Sequence, residues 1–246
     1  MAGAPGEMHI DPMSQFLVKP LFGGEIGLFS ITNSTLWMAI VVAAISLLLL
    51  GATPGRNHVP SRLQSVGEMI YGFVRQMVTD IAGEEGMKYF PYIFTLFLFV
   101  LFSNMIGMVP YAFTVTSHIA VTGFLALAVF ITVTTIGFVK HGTHFLGFFW
   151  PQDAPPALRP VLMIIELISY FVRPVSHSIR LGANMLAGHA VLKVFAGFVG
   201  VLGVFGVIPV AAMVGLTAFE FLVAGIQAYV FAILTVVYLN DALHMH

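Results

Sequence analysis

Nine ionisable or amide side chains stand in two long apolar stretches near the end of the sequence: Glu166, Arg173, His177, Arg180, Asn184, His189, Lys193, Glu220 and Gln227. Histidine and glutamate pass protons on, directly or through water. Arginine does not, because its pKa exceeds about 12. It instead holds a neighbouring carboxylate ionised and blocks an uncompensated proton wire. A set containing both kinds reads as a gated proton path. Across a membrane, each charge moved draws on about 2.3 kcal/mol per 100 mV.

On an ideal helix at about 100° per residue, Glu166, Arg173, Arg180 and Asn184 lie within about 40° of one line. His177 lies about 60° from Arg180, and His189 falls roughly opposite it. Glu220 and Gln227, seven apart, share a face of the next helix. Ala183, Ala187 and Gly188 are small enough to let another helix approach closely.

Simpler roles compete for most of these residues. Arg173, beside Pro174, suits carbonyls freed at a kink or lipid head groups as well as a path. Lys193 suits snorkelling to a membrane surface. His177 reads either as a packing residue or as a relay, and Glu166 either as an arginine's counter-charge or as a relay. Arg180 fits a structural role least: it is far from both helix ends, and no carboxylate stands three or four residues away.

The elements that must hold this set are membrane helices. Of 246 residues, 59% are hydrophobic and only 9% charged, against about 25% charged in soluble domains. Such a chain requires lipid as its solvent. The net charge of −1 offers no basic surface for nucleic acid. With no cysteine, disulfides and thiolate metal sites are excluded. No metal site or cofactor is expected; His141, His144, His244 and His246 are only weak attractants for a metal.

Residues 1–34 form a polar, weakly acidic segment without signal-peptide features, expected on the outer side and in the mature protein. Residues 35–246 form one membrane domain. Its first span covers 36–52, with Asn33 and Ser34 as candidate caps and Thr53-Pro54-Gly55 as its stop. Residues 61–83 carry Leu63, Val66, Ile70, Phe73, Met77 and Ile81 at helical spacing between charges, the pattern of an amphipathic surface helix. A hairpin of two spans covers 90–139, and a polar loop follows to Arg159. Two long helices, 160–200 and 208–239, exceed the thickness of a bilayer and must tilt, bend or break. Glycines 197, 200, 203 and 206 with Pro209 mark the turn between them. The fold class is therefore all-α integral membrane, with five membrane helices, one amphipathic surface helix, and the last two helices long, tilted and paired as a hairpin. With five spans, Arg56, Arg62, Arg75, Lys88, Lys140 and Arg159 share one side and Lys19 takes the other, so the N-terminus is expected outside and the C-terminus in the cytoplasm. No internal repeat supports a secondary transporter.

The segment Arg173-Pro-Val-Ser-His-Ser-Ile-Arg180-Leu-Gly-Ala-Asn184-Met-Leu-Ala-Gly-His189 closely resembles the signature of subunit a of F-type ATP synthases. The stretch from Glu220 to Leu239 resembles that family's last helix, and the order of elements is similar too. The resemblance implies a non-enzymatic stator subunit, with no nucleotide site and no cofactor of its own. Its implied partners are a rotating c-subunit ring, b-type peripheral stalk subunits, the remaining ATP synthase subunits and lipid. It implies two proton half-channels to the ring, and a bacterial inner membrane location rather than a mitochondrial one, with a periplasmic N-terminus. Carried over by position, Arg180 is the essential arginine facing the ring carboxylate. Asn184, His189, Glu220 and Gln227 match the polar path, Glu166 an upstream acid and Asn104 a polar position in the third helix; His177 joins them from the stripe. His189 and Glu220 exchange the glutamate and histidine of the enterobacterial pattern, and Gly107 replaces an acid found in some relatives. An independent proton or ion channel or transporter is the alternative; it would conduct without a ring.

Overall fold

The computed structural model describes residues 16–21, 30–53, 61–109, 112–150, 155 and 158–244. The Pro54-Gly55 stop, Arg56, Pro151, Pro156 and His246 fall outside these, as does most of the 1–34 segment. Among the described residues the architecture is all helical. It comprises α1 (Asn33–Ala52), α2 (Arg62–Gly86), α3 (Phe90–Gly107), α4 (Ile119–His141), α5 (Arg159–Leu202) and α6 (Val207–Leu243). Five stretches are long and apolar enough to cross a membrane, α2 and α3 counting together as one. The protein is an all-α, multi-pass membrane protein.

Helix α1 begins at Asn33, three residues before the apolar run that starts at Leu36. Thr32, not Asn33 or Ser34, is the cap: its hydroxyl accepts from the Thr35 amide at 3.4 Å. Asn33 is occupied elsewhere, bonding the backbone of residues 17 and 19. Ser61 caps α2 by accepting from the Gln64 amide. Gly83, with φ of 61°, bends α2 without ending it, and the helix resumes to Gly86.

The apolar repeat of α2 is only partly its packed face: Met77 is buried, and Ile70 and Ile81 pack against the core. Val74, Met77, Val78 and Ala82 are buried, whereas Leu63, Val66 and Phe73 are exposed. The helix turns one apolar edge to α6 and leaves another uncovered. Its charges Arg62, Glu68, Arg75 and Asp80 are all exposed.

Lipid is as apolar as leucine, so close van der Waals packing must hold membrane helices together. Helix α6 presents Ala224, Ala228, Ala232 and Val236 in a fully buried row at four-residue spacing. These small side chains let α3 approach until the Asn104 side-chain amide donates to the Ala224 carbonyl at 3.1 Å. Helix α4 meets α5 the same way: Thr122 and Ser178 hydroxyls lie 3.2 Å apart beside Gly182. The loop after α4 is less polar than its composition suggests. Phe145 is 2% exposed and packs on Gly137, where a Cβ would collide with its ring.

Helix α5 is one continuous run of 44 residues through Pro174, and α6 runs 37. These lengths are about 66 and 56 Å, well beyond a hydrocarbon core of about 30 Å. The turn between them is shorter than the glycine pattern suggests. Gly197 and Gly200 remain helical, and only Gly203–Gly206 form the turn, with Gly203 at φ of 52°.

The ends of the bundle are marked by polar ties. At one end, Lys140 pairs with Glu85, and His141 meets the Leu243 carbonyl at 3.3 Å. At the other, residues 16–21 run antiparallel to the start of α1, with a Pro20–Thr32 bridge.

Candidate functional site

The predicted stripe on α5 divides three ways. Arg180 and Asn184 are exposed, on a face shared with Ala183 and Ala187. Arg180 makes no ion pair with any described residue. Its guanidinium borders a small crevice of about 160 Å³ with His177, Gln227 and Val230.

Arg173 leaves that face. Its Nη1 donates to Asp241 Oδ2 at 3.0 Å, and its guanidinium lies over the rings of Tyr238 (5.0 Å) and Tyr170 (5.5 Å). Neither freed carbonyls nor lipid are needed to explain it. The expected end of the last helix at residue 239 had left Asp241 outside; α6 continues through it to Leu243. Glu166 is half-buried and pairs with no described residue.

His177 is buried, with its ring centroid 3.8 Å from that of Phe231. Neither of its ring nitrogens has a partner among the described residues. It lines both the Arg180 crevice and a second cavity of about 310 Å³ bordered by Arg173, Tyr170 and Tyr238. His177 thus stands between the Arg180 crevice and the Arg173 cluster.

His189 points away from Arg180, into the bundle. Its Nδ1 lies 2.6 Å from Glu220 Oε1 and 3.1 Å from the Met185 carbonyl. Its Nε2 lies 3.0 Å from both the Gly107 carbonyl and the Thr114 hydroxyl. Oxygen acceptors therefore face both ring nitrogens. The Thr114 hydroxyl can also donate, so a neutral imidazole with its proton on Nδ1 can accept from Thr114 at Nε2. The Glu220 carboxylate is buried without an aligned hydrogen bond. Gly188 makes room for it; a Cβ there would collide with Oε1.

Glu220, Gln227, Asn184 and Gly188 line one open groove of about 910 Å³ between α5 and α6. The groove joins the exposed Asn184 to the buried His189–Glu220 pair. Asn104 stands deeper. Its amide nitrogen donates to Ala224 and its oxygen accepts from Thr116 at 2.7 Å. Both ends are engaged, so it holds the α3–α4 connection against α6.

Along α5, Arg180 lies about 10 Å from Arg173 and about 13 Å from His189. The two polar clusters are on opposite sides of it, one toward each end of the bundle. Sequence reasoning missed Thr114, Thr116, Tyr170, Tyr238 and Asp241. The tyrosines and Asp241 carried a signal: Tyr238 and Asp241 are three apart on α6, the spacing of one helix face. The threonines carried none, because they belong to a short connection with no periodicity.

A family model described as ATP synthase A chain matches residues 35–240. The chain is 64% identical over 238 residues to the ATP synthase subunit a of Dinoroseobacter shibae, covering 96% of this chain and 95% of that protein. It is 60% identical over 242 residues to the ATP synthase subunit a of Paracoccus denitrificans, covering 97% and 96%. With the ATP synthase subunit a of Rhodospirillum rubrum it shares 53% identity over 242 residues, covering 97% and 100%.

Proposed function

The chain belongs to the ATP synthase A chain family, and from that premise we propose that it is the stator subunit a of the membrane motor. In this reading it provides two proton half-channels to a rotating c-subunit ring and couples proton flow to ATP synthesis. It has no nucleotide site of its own. It works in the bacterial inner membrane beside the ring, b-type stalk subunits and the rest of the complex. Its N-terminus faces the periplasm and its C-terminus the cytoplasm.

The observation that carries this reading is Arg180: an exposed residue in mid-helix, on a face of small residues, with no carboxylate paired to it among the described residues. An unpaired charge in a membrane costs several kcal/mol, roughly 2.5–3.5 on the insertion scale. A ring carboxylate docking on this face supplies the missing partner.

A proton enters from the outer side and is taken up at His189 and Glu220. The groove lined by Asn184 and Gln227 carries it to the ring carboxylate, which becomes neutral and leaves Arg180. The neutral site then turns through lipid for nearly a full revolution. On its return, Arg180 favours the ionised carboxylate, and the proton departs on the inner side past His177 and Glu166. Arg180 cannot accept that proton, so it separates the two paths. Asn104, with both amide ends engaged, positions the outer path rather than carrying protons.

The test is Arg180→Ala in the reconstituted complex, read as ATP-driven proton pumping. Pumping is expected to be abolished; unchanged pumping would overturn the reading.

A further inference from the structure

One aromatic ring near His189 comes from a residue outside the long helices. Phe16 is 9% exposed, and its ring centroid lies 6.4 Å from that of His189. Its backbone carbonyl meets His118, the residue that precedes α4. Nε2 of His118 is buried without a partner, and its ring stacks on Phe113 at 4.9 Å. The next residue, Thr114, bonds His189. Phe16, Phe113 and His118 thus form a small aromatic plug at this end of the bundle.

A short strap holds the plug. Lys19 N donates to Asn33 Oδ1, and Asn33 Nδ2 donates to the Leu17 carbonyl, both at 3.1 Å. Asn33 N donates to Lys19 O at 3.0 Å and Leu21 N to Ile31 O at 2.9 Å. One asparagine side chain therefore fixes the backbone on either side of Val18. The strap lies at the polar margin of the apolar region: α1 opens with Thr32, Asn33, Ser34 and Thr35, and α4 becomes apolar only after His118. Phe16 continues the strap and lies with its ring 6.4 Å from that of His189.

We propose that Phe16 is a positioning residue that stoppers the margin-side access to the His189–Glu220 pair, with Asn33 holding the stopper in place. The proposal rests on the proton-path reading above and adds what limits solvent entry to that path. Thr114, 3% exposed, links this end of the bundle to His189 through its hydroxyl. An aromatic ring at this point keeps bulk water from the Glu220 carboxylate while leaving His118 as the polar neighbour nearest the margin. Burial lowers the pKa of His118 from its ordinary value, and the Phe16 carbonyl opposes that shift. Burial, against the pull of the Phe16 carbonyl, favours a neutral ring, which can accept a proton at one nitrogen.

The chain has no cysteine, so a single thiol reports this pocket cleanly. The experiment uses Thr114→Cys in the assembled ATP synthase, in detergent-permeabilised membrane vesicles, and reads the labelling rate with a charged methanethiosulfonate. Phe16→Ala is expected to raise that rate by about tenfold or more, and Phe16→Leu to keep it within about twofold of the parent. Asn33→Ala should also raise it, because the strap is released. Leu17→Ala, at an exposed neighbour, should not. Equal rates with Phe16 and Phe16→Ala overturn the proposal. So does an equal rise with Leu17→Ala, which would mean general loosening. The proton-path reading is judged separately by pumping in Arg180→Ala. If Arg180→Ala pumps while Phe16→Ala still accelerates labelling, that reading falls and the stopper stands as a solvent barrier.

Discussion

His189 Nδ1 lies 2.6 Å from Glu220 Oε1, joining α5 to α6 with an imidazole on one helix and a carboxylate on the other. Both side chains are largely buried, at 14% and 6% exposed. The pair takes one imidazole and one carboxylate from facing helices, and its composition is unchanged if the two are exchanged. Around it, Gly107, Met185 and Thr114 offer oxygens to the imidazole, and Gly188 leaves space for the carboxylate.

This symmetry predicts the outcome of an exchange. His189→Glu or Glu220→His alone places two like groups together, and removing one partner of a buried pair costs about 3–5 kcal/mol. Each single variant should lose most ATP-driven proton pumping. The double exchange should recover a substantial part of it. A double variant no better than the singles would show that the surroundings, not the pair, set the function.

Gly188→Ala tests the space rather than the charge. The added Cβ meets the Glu220 carboxylate, which must swing out of reach of His189. Proton pumping should fall by about tenfold, the effect of about 1.4 kcal/mol, while assembly of the complex is retained. Gly225→Ala is the control, because nothing lies within 4 Å of a Cβ there.

The Arg173–Asp241 tie predicts a stability effect. The two side chains are 20% and 35% exposed, so screening limits the pair to about 1 kcal/mol, with a similar contribution from the tyrosine rings. Asp241→Asn should lower the thermal midpoint of the purified complex by a few degrees or less. In a double-mutant cycle with Arg173→Gln, a coupling energy of zero would show that the two residues act independently.

His118 predicts a pH dependence. Its folded pKa lies below its ordinary value of 6.5, chiefly through burial. The unfolded chain therefore binds the extra proton more readily. The stability gained by keeping the ring neutral is fully present above about pH 6.5 and is lost as pH falls through the folded value. Thermal melts of the complex below that pH should be less pH-dependent in His118→Gln than in the parent. Identical slopes would contradict the assignment.

Composition and spacing carried the membrane class, the long final pair of helices and the family signature. Lipid explains why this was legible: it imposes an apolar run of set length wherever the chain crosses, and each run is a local property. Arg180 was singled out for the same reason, since a charge inside such a run is conspicuous without any neighbour in view. Its exposed position, however, depends on how α5 rolls against α4 and α6, and no single helix encodes that roll.

Which polar residues meet follows from packing between helices, not from any one of them. An ideal helical wheel put Arg173 and Arg180 on one line, yet Arg173 turned to Asp241 on α6 while Arg180 stayed outside. The wheel also placed His189 opposite Arg180 without naming its partners, which come from α3, α6 and the α3–α4 connection. Asn33 looked like a cap and instead holds the strap behind Phe16. In each case the deciding contact joins segments far apart in sequence. Which segments meet is set by the close packing of small residues such as Ala224, Ala228 and Gly182, a sum over many weak contacts that periodicity along one helix does not reveal.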